Sequence, residues 1–245
     1  MCYETIPAYS ESCPAEDSCS QEALTALKTK IILQWLQIAA GLFVFSFGEH
    51  LTIFANIGLA PWDCLGMGIA IHTPLNYGLA MTLTSVLVVC IDLILHERIG
   101  YGTIIDALLT GNFVQFFNDR NPFPENTNLF SGILWMITGF IFMALGIMIY
   151  IRAGQGCGPR DALLVGVGKR MQRLPIGIVE ILLWTIVLLA GWLLGGPVGI
   201  GTLLSTFGAG FVMQAVYTVF HFEPRDIHQR DLLHVTRILL HAPGD

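Results

Sequence analysis

Six stretches of this chain, 31–57, 78–95, 103–117, 129–151, 176–195 and 202–220, are apolar along most of their length. Most approach the ~20 residues an α-helix needs to cross about 30 Å of hydrocarbon. No other feature constrains the fold as much. A backbone in lipid has no water to bond, so it must satisfy its own N–H and C=O groups, and only helices and closed barrels do this. Runs of this length read as helices, and the chain reads as an all-α, polytopic membrane protein. Charge agrees: 12% of the 245 residues are charged, against roughly 25% in ordinary globular domains. The stretch 103–117 is the weakest of the six, being short and carrying Asp106.

The basic residues orient these crossings. With the N-terminus inside and six spans, the cytoplasmic side receives Lys28, Lys30, Arg98, Arg152, Arg160, Lys169, Arg170, Arg173, Arg225, Arg230 and Arg237, and the outside only Arg120. That is a strong positive-inside bias. Counting 62–73 and 161–173 as spans gives eight crossings, a weaker bias and spans of about 12 residues, so six is preferred. The first 27 residues are polar and acidic, the reverse of a cleavable signal, so the run from Ile31 is expected to remain as an anchor. Ser18 and Gln21 read as a capping box opening a short helix before Lys28. Both termini are thus expected in the cytoplasm, with the chain anchored in the membrane. No basic stripe or motif points to nucleic acid.

The chain also repeats itself. "GLAPWDCLGMG", from Gly58 to Gly68, returns ninety-eight residues on as "GCGPRDALLVG", from Gly156 to Gly166. At that offset Gly41 matches Gly139, Gly48 matches Gly146, Pro61 matches Pro159 and Asp63 matches Asp161. After one inserted residue Gly78 pairs with Gly177, Gly100-Tyr-Gly-Thr103 with Gly199-Ile-Gly-Thr202, Gly111 with Gly210, and Gln115 with Gln214. Matches of Gly, Pro, Asp and Gln carry weight in apolar sequence, where matches of Leu and Val carry none. The reading is an internal duplication, 31–117 and 129–220, joined by a periplasmic loop 118–128. A tail 1–30 precedes it and an amphipathic tail 221–245 follows. Each half holds three crossings, an odd number, so the second half is expected to be inverted, a recurrent transporter architecture.

In both motif copies Pro falls where a helix begins, at the position whose missing N–H costs nothing. Asp follows two residues later, facing the positive end of the helix dipole. The preceding glycines permit unwound backbone. Each motif therefore reads as a short broken or re-entrant helix, about 62–72 and 160–171. Such backbone is tolerated at membrane depth only where it is buried in protein or lines a cavity. The residues expected to line a substrate site are Gly58, Pro61, Trp62, Asp63, Gly158, Pro159, Arg160 and Asp161. Structural turns capped by the two aspartates are the competing reading. Trp62 and Arg160 share a column, with an interfacial belt and a cytoplasmic-side anchor or anion contact as their respective readings.

Other polar groups lie within or near the runs. Glu49 and His50 are the deeper candidates for a proton-coupled or polar contact. Asp92, Asp106 and Glu180 fall near the predicted cytoplasmic ends, where water or Arg98 is expected to satisfy them. Gln115 and Gln214 are expected to hydrogen-bond between helices. The six cysteines show no CxxC spacing, and Cys2, Cys13 and Cys19 in the tail read as reduced thiols. Histidines 221, 228, 234 and 241 fall roughly on one helix face and read as solvated. No catalytic constellation, phosphate loop, metal set or cofactor motif is present in the sequence.

In combination, Gly58-x-x-Pro61-Trp62-Asp63, Gly158-Pro159-Arg160-Asp161 and the paired Gly-x-Gly-Thr turns resemble the YczE/YyaS/YitT family of bacterial integral membrane proteins, over about 38–217. The resemblance implies a bacterial inner-membrane protein and carries no catalytic residues. The functional expectation is a secondary transporter or flippase for a small molecule or lipid-linked substrate. A membrane scaffold using 221–245 to hold a cytoplasmic protein partner, as monomer or homo-oligomer, is the alternative. An intramembrane enzyme acting on lipid-linked substrates is a third.

Overall fold

The computed structural model describes residues 16–97, 99–121, 126–223 and 227, with side chains from Lys28 onward. Among them the chain is helical, with no strand. The long helices are α1 (Glu16–Phe54), α3 (Tyr77–Ile94), α4 (Tyr101–Asp119), α5 (Leu129–Ile151), α7 (Ile176–Leu193) and α8 (Ile200–Val219). Two short helices, α2 (Pro61–His72) and α6 (Pro159–Arg170), start at the repeated motifs.

Among the described residues five helices are long and apolar enough to cross a membrane: α1 from Lys28, α3, α5, α7 and α8. The sixth expected span corresponds to α4, which has the length, 19 residues, but not the apolarity. Its sequence mixes Asp106, Thr110, Asn112 and Gln115 among the hydrophobics. At 12 residues each, α2 and α6 are about 18 Å long, too short to span ~30 Å of hydrocarbon. The N-terminal reading needs one correction. Helix α1 runs unbroken from Glu16, so Ser18 lies inside it and caps no separate short helix.

The helices pack where the side chains are smallest. Helices α1 and α5 form the largest interface. A Cβ on Gly48 would stand 2.5 Å from the Gly139 carbonyl oxygen, and one on Gly41 would stand 2.8 Å from that of Gly146. As numbering rises along α1 it falls along α5, so the two run antiparallel. Without a hydrophobic drive between helices in lipid, this close backbone approach supplies the attraction, through dispersion. Large apolar side chains point outward instead, Leu193 and Phe211 among the most exposed.

The short helices cross between the halves. Helix α2 packs on α7, while α6 packs on α3. The Gly-x-Gly-Thr turns do the same at backbone level. Gly201 donates its N–H to the Ile57 carbonyl at 2.7 Å, and Gly102 donates to the Gln155 carbonyl at 2.7 Å. These bonds join positions that the offsets of 98 and 99 exchange. Gly58 and Gly156, at φ of 116° and 108°, hold the left-handed backbone that turns the chain toward the short helices, a conformation costly for any side chain.

The halves differ in one respect. Helices α3 and α4 pack closely at Gly78 and Gly111, where the Gly78 N–H donates to Gln115 Oε1 at 3.0 Å. No comparable interface joins α7 to α8. A Cβ on Gly177 or Gly210 would meet nothing within 4 Å among the described residues.

Candidate functional site

The N-terminal ends of α2 and α6 meet over a cavity of about 240 Å³. Pro61 and Pro159 each occupy the first helical position, and Asp63 and Asp161 the third. Ala60 and Gly158 stand at the N-caps without a side-chain cap. All six line the cavity, as do Trp62 and Arg160. Gly58 does not. Its Cα faces Gly199 of the other half, so its contribution is to the turn. Gly158, at φ −60°, needs no glycine freedom. A Cβ there would press to 2.9 Å from Asp106 Oδ2, so the missing side chain leaves room for that carboxylate.

The walls follow the same arithmetic as the sequence. Among the lining residues, ten pairs are related by an offset of 98 or 99, including Leu42 with Phe140, Phe45 with Met143, Ser85 with Trp184 and Thr110 with Ala209. The frame is thus matched while its chemistry is not. Glu49 stands opposite Ile147 in register, Trp62 opposite Arg160, and Asp106 opposite Ser205.

Trp62 and Arg160 also face each other physically. The guanidinium carbon lies 5.4 Å from the indole centroid, within reach of a cation–π attraction. One guanidinium nitrogen is 3.9 Å from Asp63 Oδ1. Trp62 is buried, at 8% exposure, and sits against this cation rather than in an interfacial belt. Arg160 likewise reaches into the cavity and is no surface anchor.

Glu49 and His50 part company, because successive helix residues point about 100° apart. Glu49 is buried and lines the cavity. Its Oε1 accepts from the Tyr77 hydroxyl at 3.4 Å, while Oε2 has no hydrogen-bond partner among the described residues. Asp63, Asp106 and Arg160 are its electrostatic neighbours. His50 faces α4 instead, sharing a 2.6 Å hydrogen bond with Asn118 Oδ1 and stacking on Phe117. Gln115 joins α4 to α3 away from the cavity, and Gln214 is exposed on α8.

Asp106, Tyr150 and, through its bond to Glu49, Tyr77 are among the residues that the sequence did not assign to the site. Asp106 lines the cavity and accepts a hydrogen bond from Thr110. Its matched position in the second run is Ser205, which also lines the cavity. Asp92 is fully buried, and neither carboxylate oxygen has a hydrogen-bond partner among the described residues, which departs from the water-solvated end expected of it. Arg98, Cys2, Cys13, the side chain of Cys19, most of the C-terminal amphipathic segment and histidines 228, 234 and 241 lie outside the described residues. Among the described residues no three His, Cys, Asp or Glu side chains are grouped to hold a metal ion.

Known proteins can now be set beside this geometry. The family described as "Family of unknown function (DUF6198)" matches over residues 32–218. The chain belongs to the DUF6198 family. The matched span contains both motifs and every cavity-lining residue. An "Uncharacterized protein" of Haemophilus influenzae (strain ATCC 51907 / DSM 11121 / KW20 / Rd) is 34% identical over 173 residues, 71% of this chain and 78% of its own. The "Uncharacterized membrane protein YczE" of Bacillus subtilis (strain 168) is 28% identical over 77% of this chain and 87% of its own. "Uncharacterized protein YyaS" of the same organism is 26% identical over 74% and 90%. The resemblance to YczE and YyaS read from the motifs is thus borne out. No solved structure matches this DUF6198 chain. Its five apolar helices, with a relative named as a membrane protein, make it a membrane protein.

Proposed function

We propose that this chain is a secondary transporter or flippase that crosses the membrane six times as two inverted three-helix repeats and alternates access to the cavity between α2 and α6. The observation that carries this reading is that cavity. Matched positions of the two halves form its walls, and two half-length helices bring their N-terminal ends into it. Discontinuous helices at corresponding places in two halves are the usual signature of a transporter's binding site.

Three further features support the reading. Helices α1 and α5, which occupy matching positions, run antiparallel. An axis exchanging antiparallel helices lies perpendicular to them, hence in the membrane plane if they cross it. Helix α4 serves as the sixth crossing, about 28 Å long, its low apolarity explained by Asp106 and Thr110 facing the cavity rather than lipid. The halves also hold different conformations, with α3 and α4 closed and α7 and α8 apart. Exchanging those conformations between inverted halves moves the opening to the other face.

The positive-inside bias puts both termini and the α7–α8 opening on the cytoplasmic side of the inner membrane, so the present conformation is read as inward-open. Asp161 is exposed where Asp63 is buried, in keeping with an opening toward the second half. A test needs no substrate. Cysteines at Gly177 and Gly210, in a background without other cysteines, meet no steric obstacle. A short bis-maleimide should bridge them in membranes as α7 and α8 close, and the bridge should trap the protein. If both thiols react with maleimide but never cross-link, with or without an imposed ion gradient, the alternating motion is wrong.

A further inference from the structure

The cavity's chemistry points past transport in general to a class of ligand. Helix N-termini ordinarily invite anions, and two of them meet here with Arg160 beside them. The charges already present reverse that preference. Each helix end contributes about half a positive charge and Arg160 one, for a total near two. Glu49, Asp63, Asp106 and Asp161 offer up to four negative charges. With Glu49 hydrogen-bonded to Asp63, a cation is what lets these crowded carboxyls ionise together. Asp63 and Asp161 occupy the third helical positions, where a bound anion's charge would otherwise be favoured.

An acidic lining alone would not define a site, but one of its groups is incomplete. Glu49 is 1% exposed, faces the cavity, and its Oε2 lacks a hydrogen-bond partner among the described residues. A buried carboxylate oxygen without a donor is costly, and an N–H donor carrying positive charge satisfies it best. The lining includes the aromatic side chains of Phe45, Phe140 and Trp184, besides Trp62, which Arg160 already faces. Aromatic faces attract organic cations and supply none of the oxygen ligands that a hard metal ion needs. At about 240 Å³ the space lies below the ~300–1,000 Å³ of drug-sized sites.

We propose that the cavity binds a small amphiphilic amine, its ammonium donating to Glu49 Oε2 and its apolar part lying against the aromatic wall. The word substrate for this amine rests on the transporter reading, but binding does not. The test is therefore made in detergent, where transport plays no part. The probe is 2-phenylethylammonium, compared with the neutral 2-phenylethanol and the anionic 3-phenylpropanoate by calorimetry and thermal unfolding of purified protein. The ammonium should bind and raise the melting temperature, and the other two should bind at least tenfold more weakly. Glu49→Gln should weaken the ammonium at least tenfold while the unliganded protein keeps its melting temperature and gel-filtration profile. Should that variant fail to fold, Asp63→Asn should weaken the ammonium at least threefold with little effect on the alcohol. Equal binding of the alcohol, tighter binding of the carboxylate, no binding of the ammonium at 10-fold millimolar excess, or undiminished affinity in the variants would overturn the proposal. If binding holds but proteoliposomes take up no amine, the transport reading fails alone.

Discussion

At the scale of single residues the two Gly-x-Gly-Thr turns are alike in sequence but unlike in what they carry. The Thr103 hydroxyl accepts from the Gly100 N–H at 3.3 Å and donates to the Cys157 carbonyl at 2.6 Å. Thr202 accepts from Gly199 at 3.2 Å. Both turns dock on the opposite half, so each hydroxyl steadies backbone that has no water to fall back on. Valine keeps the shape and removes the bonds. Thr103→Val should therefore cost about 1–3 kcal/mol, and Thr202→Val roughly half of that, since a net hydrogen bond contributes about 0.5–1.5 kcal/mol. Denaturant unfolding of the two variants in the same detergent would check the ranking. Equal losses would mean the Cys157 bond contributes nothing. Trp62 and Arg160 illustrate the opposite case, where a mismatch in one column brings a π-face and a cation together in the lining of the cavity.

The glycines act at the scale of elements. Gly111 lies against α3, where a Cβ would crowd Thr82 Oγ1 at 2.6 Å, and its matched residue Gly210 faces open space. Gly111→Ala should destabilise by about 1–3 kcal/mol through overpacking. Gly210→Ala should stabilise by about 0.5–1 kcal/mol, because a helix gains from losing a glycine it does not need. Under the alternating reading that gain belongs to the open state only, so Gly210→Ala should also slow closure of α7 on α8. Thermal melts of both variants, with cross-linking rates between a cysteine at 177 and one at a neighbouring position of α8 compared with and without Gly210→Ala, would check both effects. Helix α8 differs from α4 in another way. Its turn Leu204–Gly208 is π-helical, and Ser205 within it lines the cavity. Single π turns inside α-helices recur at functional sites, and α4 has an unbroken α-helix at the matching place.

For the whole molecule the open question is sidedness. Arg120 follows α4, and Gln172 follows α6; both are exposed. Single cysteines there, in a background without others, report on opposite faces if the repeats are inverted. In intact cells whose outer membrane admits the reagent, an impermeant maleimide should label position 120 and leave 172 unlabelled until the membrane is permeabilised. Labelling of both from outside would put α6 on the same face as the α4 terminus. The cavity would then have a single mouth, and alternating access would lose its geometric basis. The ion pair of Lys169 with Glu97 at 2.5 Å, together with the Arg170 bond to the Leu95 carbonyl, ties the end of α6 to α3 on the side where 172 lies.

Much of this architecture was legible before any coordinates. Lipid forces backbone satisfaction, so the apolar runs read as helices, and their ends fall within a few residues of the expected ones except at the start of α1, which begins at Glu16. Pro and Asp at matching offsets located the starts of α2 and α6, because those residue types act through the local backbone and need no distant partner. The offsets of 98 and 99 also relate ten pairs of the residues that line the cavity. The direction of a side chain within a run was not legible. Glu49 and His50 are adjacent and equally buried, yet one faces the cavity and the other α4. Asp106 seemed near a membrane edge and instead lines the cavity. Each outcome depends on which helix lies alongside, and in this chain that helix often comes from the other half. Burial, pairing and the choice of which carboxylate stays unpartnered are decided by packing between elements distant in sequence, so the tertiary structure alone determined the site.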